Sequence, residues 1–169
     1  MERLREKAAS LGVSLNDAQL AQFEKYYEML VEKNKVMNLT AITEKEEVID
    51  KHFADSLAII KTNVSLDGKK LLDLGTGAGF PGIPLKIAFP KSEILLMDSL
   101  NKRIKFLHEV IEELDLDGIS AIHGRAEDFA KKKEYRETFD YVVSRAVADL
   151  AVLSEYCMPY VHTGGYFLP

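Results

Sequence analysis

Three glycines at alternate positions, Gly75, Gly77 and Gly79, follow the apolar run Leu71, Leu72 and Leu74. Without a Cβ, glycine reaches dihedrals closed to other residues and lets backbone N–H groups come close to a ligand. Asp73 stands two residues before the first glycine, Thr76 lies between the first two, and Phe80-Pro81-Gly82 extends the turn. A helical pattern then runs from Gly82 to Phe89, and its positive end is expected to face the same place. Spacing separates the ligands. A dinucleotide fingerprint, G-x-G-x-x-G, would put its third glycine at position 80, which is Phe80, whereas Gly79 comes one residue early. A second apolar run, Glu93 to Met97, ends in Asp98, 19 residues after Gly79. A carboxylate there can accept hydrogen bonds from both ribose hydroxyls of an adenosine-containing ligand.

Other polar groups are candidates for the same chemistry. Ala126 and Glu127 follow a third hydrophobic run and are placed to reach an adenine ring. Ser144 and Arg145 end a fourth run, on the edge where such sheets bind ligands. His52, Asp55 and Ser56, in KHFADSL, lie one helical turn apart and close enough to share hydrogen bonds. His52 and Asp55 are candidate substrate contacts. The single Cys157 and the scattered His52, His108, His123 and His162 suggest no metal site.

These residues need a scaffold, and the hydrophobic periods supply one. Residues 2 to about 11 read as a helix stopped by Gly12. Ser14 or Asp17 is the expected cap of a second helix reaching about Met37, with Leu20, Phe23, Tyr27, Leu30 and Val31 inward. After the break at Asn34 to Thr40, Thr43 and Glu46 form a capping-box signature for a third helix over 44–61. Its apolar stripe is Val48, Ile49, Phe53, Leu57 and Ile60. From the Asp67-Gly68 turn onward, strand and helix alternate. Helices are expected to Phe89, over Asn101 to Leu114 with Ile104, Leu107 and Ile111 inward, and over 149–158. Strands are expected at Ile119 to His123, Phe139 to Ser144 and, after Gly164-Gly165, Tyr166 to Leu168. The fold class is α/β, with a helical extension at residues 1–62 and an open parallel sheet over 63–169. The pattern stops in mid-course at Pro169, so the sheet is expected to be incomplete at its C-terminal end.

A chain of 169 residues, 47% hydrophobic, can build one core. No apolar run approaches the ~18 residues of a membrane span, and MERLREKAAS is too charged for a signal peptide, so a cytoplasmic protein is expected; a monomer is expected as well, though no residue pattern argues for it. A net charge of −5 is unfavourable for a nucleic-acid partner. The local basic clusters are Lys33 with Lys35, then Lys102, Arg103 and Lys105, then Lys131 to Lys133 with Arg136. Each taken alone reads as a solvated face.

An acidic residue followed by G-x-G-x-G resembles motif I of class I S-adenosylmethionine-dependent methyltransferases, whose sheet is Rossmann-like. The resemblance goes further. LLDLGTGAGFPGIPL, NKVMNLTAI, KHFADSL, GRAED and VVSRAVADL together resemble the ribosomal RNA small subunit methyltransferase G family, also called glucose-inhibited division protein B, from about Asn34 onward. That resemblance implies methyl transfer from S-adenosyl-L-methionine to N7 of a guanine in the decoding-region loop of 16S rRNA, with the small ribosomal subunit as partner. It implies that Gly75, Phe80, Ala126, Glu127 and Arg145 line the cofactor site, and the superfamily alone assigns Asp98 to the ribose. The sheet of that superfamily has seven strands, of which the last two are not found here. No general base is expected, because guanine N7 carries a free lone pair. The other readings are an S-adenosylmethionine-binding, ribosome-associated factor and a small-molecule methyltransferase.

Overall fold

The computed structural model describes residues 1–59, 65–129, 131–132, 134–144 and 158–168. Helix α1 (Glu2–Ser10) ends just before Gly12, whose φ of 82° turns the chain. Helix α2 (Asp17–Asn34) is capped by Asn16, not by Ser14 or Asp17. The reason is reciprocity. Asn16 Oδ1 accepts the Gln19 N–H and Gln19 Oε1 accepts the Asn16 N–H, both at 2.8 Å, a pairing that needs an amide three residues on. Leu20, Phe23 and Leu30 are buried as expected, but Tyr26 replaces Tyr27 in the core. Both lie about one turn from Phe23, and it is Tyr26 that turns inward, against Phe53 and Phe80. Tyr27 is half-buried, its hydroxyl donating to Thr43 O at 2.8 Å.

The third helical stretch is continuous but not uniform. It comprises α3 (Lys45–Val48), a π-helical turn (Ile49–Ala54) and α4 (Asp55–Ala58). Its cap is Glu44, whose carboxylate accepts the Glu46 and Glu47 N–H groups at 3.2 and 3.0 Å, in place of the expected Thr43 and Glu46. Val48, Ile49, Phe53 and Leu57 are buried, and Ile60 lies outside the described residues.

Strands β1 (Lys70–Leu74), β2 (Glu93–Asp98), β3 (Ile119–His123), β4 (Phe139–Val143) and β5 (Val161–Leu168) pair in parallel in the order β3-β2-β1-β4-β5. Between them lie α5 (Gly82–Ala88), α6 (Asn101–Glu113) and α7 (Ala126–Phe129). Strand order reverses between β1 and β4, which opens a crevice at their C-terminal ends. β5 begins five residues earlier than expected, at Val161. Phe139 pairs with Val161 and Tyr141 with Tyr166, so a bulge on β5 takes in Gly164 and Gly165. A Cβ on Gly165 would lie 2.7 Å from Asp140 O, so only glycine permits that approach. Of the helix expected over 149–158, residues 149–157 lie outside the described residues, and Met158–Tyr160 form a 3-10 turn.

Alternation along the strands sends side chains to two cores. Leu71, Ile94, Leu96, Ala121 and Val143 join Leu4, Phe23, Tyr26, Phe53 and Leu57 of the N-terminal helices, with Ile83, Phe106 and Leu107. Leu72, Leu74, Leu95, Met97 and Val142 pack with Phe139, Tyr160 and Val161 on the other face. The N-terminal helices therefore share one core with the sheet.

Candidate functional site

β1 ends at Leu74, and the loop after it is tied to β2: Gly75 and Thr76 N–H both donate to Met97 O, at 2.9 and 3.1 Å. Asp73 is fully buried beneath this loop. Its Oδ2 accepts the Thr76 hydroxyl at 2.7 Å and the Gly82 N–H at 2.8 Å. One carboxylate thus clasps both the loop and the first turn of α5. α5 has seven residues, and its first amide is taken by Asp73 and not left for a ligand. Asp73 shapes the loop from below.

The glycines differ in what surrounds them. A Cβ on Gly79 would lie 2.7 Å from both Tyr26 Oη and Ile83 Cδ1, and one on Gly82 would lie 2.2 Å from Leu96 Cδ2. Both are glycine because the protein packs against them. Gly77 has φ +61° and a Cβ there would meet nothing within 4 Å. It faces open space. Its N–H donates to Asp98 Oδ2 at 2.8 Å. Asp98, 3% exposed, also accepts the Leu100 N–H at 2.9 Å, with Arg103 Nη1 3.5 Å away. The loop and the acid read from sequence are therefore in direct contact.

The neighbouring strand ends supply the other candidates. Asp98 pairs with His123 across β2 and β3, and Asp73 with Val143 across β1 and β4, which puts the four strand ends on one edge. Ala126 and Glu127 open α7 just past β3, where Glu127 is exposed and Ala126 O accepts the Tyr160 hydroxyl. Ser144 is buried at the end of β4, and Arg145 lies outside the described residues. Phe80 is buried, and its ring stacks on His52 at 4.5 Å with 12° between planes. The Ser56 hydroxyl donates to His52 O at 2.5 Å, and Asp55 is exposed.

Sequence reasoning missed Tyr26 and Thr40 beside the site and read Arg103 only as part of a solvated face. The Tyr26 hydroxyl donates to Ala78 O at 2.6 Å, Thr40 Oγ1 lies 2.8 Å from His52 Nε2, and Arg103 borders Asp98. Tyr26 had a signal in the three-residue step from Phe23; Thr40 had none in its own pattern. Among the described residues, no group of His, Cys, Asp and Glu could hold a metal, and no helix is long and apolar enough to cross a membrane.

The chain is similar to known proteins over nearly its whole length. Ribosomal RNA small subunit methyltransferase G of Lachnoclostridium phytofermentans is 65% identical over 160 residues, which is 95% of this chain and 66% of that protein. The protein of that name from Clostridium tetani is 53% identical over 165 residues, 98% of this chain and 69% of its own length. The chain thus spans about two thirds of the length of these curated relatives. A solved structure of a SAM dependent methyltransferase from Aquifex aeolicus shares the fold, with a TM-score of 0.56 at 20% identity over 81% of this chain and 70% of that one. The model of one family, GidB, described as rRNA small subunit methyltransferase G, matches residues 19–169, and the chain belongs to that family.

Proposed function

We propose that this chain binds S-adenosyl-L-methionine at the C-terminal edge of the sheet and directs its methyl group to N7 of a guanine in 16S rRNA. The observation that carries this reading is the pairing of Gly77 with Asp98: an amide from a glycine facing open space, bonded to a nearly buried carboxylate at the end of the adjacent strand. That donor set fits an adenosine-containing ligand. A carboxylate offers about four lone-pair sites, so Asp98 can accept ribose hydroxyls beside the amides it already holds. Gly75, Thr76, Gly77, Gly79 and Phe80 form the wall of the site, Asp73 fixes their shape, and Ala126 with Glu127 take the adenine side. Ser144, buried just past β4, is assigned to the acceptor side, and Arg145, which lies outside the described residues, keeps the role at cofactor or acceptor that the sequence gives it. Residues 1–62 serve as a helical extension on the methyltransferase domain of 63–169.

When bound, the cofactor supplies an electrophilic sulfonium methyl. The residues of the chain need only align the partners, because the lone pair on guanine N7 is unprotonated at neutral pH and requires no base. Alignment of this kind can supply roughly 7–11 kcal/mol in well-oriented cases. The small ribosomal subunit is the partner that presents the guanine, and the family name supports that choice. The test gives the protein methyl-labelled S-adenosylmethionine with 30S particles, free 16S rRNA and a small-molecule extract. Label is expected in 16S rRNA at a guanine N7, mapped by strand cleavage at the modified base. Label confined to small molecules, or placed on another base atom, would overturn the proposal.

A further inference from the structure

Two segments, NKVMNLT at 34–40 and KHFADSL at 51–57, lie outside the strand-loop-helix unit, yet a line of contacts joins them to the glycine loop. Asn34, the last residue of α2, accepts the Leu39 and Thr40 N–H groups on Oδ1 at 2.8 and 3.0 Å. This folds the chain back on the helix end. Thr40 Oγ1 accepts the Ile42 N–H at 3.1 Å and lies 2.8 Å from His52 Nε2. The His52 ring then lies almost parallel to Phe80, the residue that follows Gly79.

The helix that carries His52 is built for this. Val48 and Phe53, and Ile49 and Ala54, are buried pairs five residues apart. An α-helix, with 3.6 residues per turn, would not keep both pairs on one face. The π-helical turn Ile49–Ala54 does, and such turns occur often at functional positions. It leaves His52 half-buried at the border of the core, level with Phe80. Phe80 has little freedom of its own, being 7% exposed, with Tyr26 5.6 Å away. The amides of Gly79 and Phe80 both donate to Thr76 O at 3.0 Å. The outer limb of the loop is therefore held from inside by Thr76 and from outside by His52 and Tyr26.

We propose that His52 is a positioning residue for the cofactor loop: it holds Phe80, and so the limb from Gly79 to Gly82, while Asn34 and Thr40 fix its ring. This rests on the reading of the loop as the S-adenosylmethionine site. It assigns His52 to the loop and not to contact with RNA, and it gives the NKVMNLT and KHFADSL segments one shared task.

The test compares His52→Ala, His52→Phe and Thr40→Val with the unaltered protein by calorimetry with S-adenosylmethionine, and by amide hydrogen exchange at Gly79 and Phe80 without ligand. His52→Ala should weaken binding roughly three- to tenfold, the affinity equivalent of one aromatic pair, and speed exchange at both amides. His52→Phe keeps the stack and should restore most of both losses, which a general loss of packing would not. Thr40→Val, which spares the ring, should fall between them and decides the matter if His52→Ala does not fold. Unchanged affinity and exchange in His52→Ala, or a weaker hold on 30S particles with cofactor affinity intact, would overturn the proposal. If the unaltered protein itself binds no S-adenosylmethionine, the reading of the site fails, and the exchange rates still decide whether His52 holds the loop.

Discussion

Replacing Gly77 with alanine puts one methyl group into space that no protein atom occupies within 4 Å. The cost to the fold is set by the backbone alone. At φ +61° an L-residue pays about 1–2 kcal/mol for its left-handed conformation. For a chain of this size, at about 2–4 °C per kcal/mol, the melting temperature should fall by about 2–8 °C. The cost to the ligand is set by the methyl group. If the open side of Gly77 is where the cofactor meets the backbone, affinity for S-adenosylmethionine should drop at least tenfold, about 1.4 kcal/mol. Gly82→Ala is the contrast, because its Cβ would lie 2.2 Å from Leu96 Cδ2 and 2.9 Å from Asp73 Oδ2, and the fold itself must give way. Scanning calorimetry measures the cost to the fold, and calorimetric titration with S-adenosylmethionine, below the melting range of each variant, measures the cost to the ligand. A Gly77→Ala protein that melts a few degrees lower yet binds the cofactor with unaltered affinity would refute the reasoning, since the methyl group would then point at nothing that matters.

Two further outcomes are expected. Asp98→Ala removes the acceptor for the part-buried Gly77 and Leu100 amides, which water can then reach, and should cost about 1–3 kcal/mol in all; it should also weaken cofactor binding at least tenfold, about 1.4 kcal/mol, and intact affinity in calorimetry would remove Asp98 from the site. Burial alone would raise the Asp140 carboxyl, but the hydrogen bond from Lys70 N–H and the contact with His162 at 2.5 Å outweigh it and hold the group below the ordinary carboxylate range. Its contribution to stability is therefore present above that range and is lost as pH falls through it towards the lower folded value. Urea unfolding near neutral pH and in acid should show a smaller acid loss in Asp140→Asn, and equal losses in both proteins would rule this out.

Periodicity and spacing revealed the elements that carry strong patterns and concealed those decided by contacts. Gly75, Gly77, Gly79 and Asp98 stood out because loop and acid lie at fixed distances along one βαβ unit, and the structure brings them into contact. The split between Tyr26 and Tyr27 was not decided by spacing, since steps of three and four from Phe23 both fit one helical face and only the contacts with Phe53 and the glycine loop decide between them. Asn16 was hidden by more familiar caps on either side, although its partner Gln19 was in view. The π turn was hard to see in the apolar stripe, because Ile49, Phe53 and Leu57, at steps of four, also satisfy an ordinary helix, and the five-residue pairs Val48 with Phe53 and Ile49 with Ala54 were the only trace of it. The early start of β5 was masked by Gly164 and Gly165, which read as a turn before a strand and are in fact the bulge within it.

The carboxylate of Asp73 also limits how freely this loop could be moved into another protein. Copying residues 75–82 onto a foreign parallel strand would strand the Thr76 hydroxyl and the Gly82 amide, both of which are satisfied here by a residue upstream of the loop. A successful graft has to bring Asp73 beneath, glycine at 82, and a neighbouring strand whose side chain stands where Leu96 does. The portable unit is therefore discontinuous: one strand, its loop, a single helical turn and one residue borrowed from the strand next door.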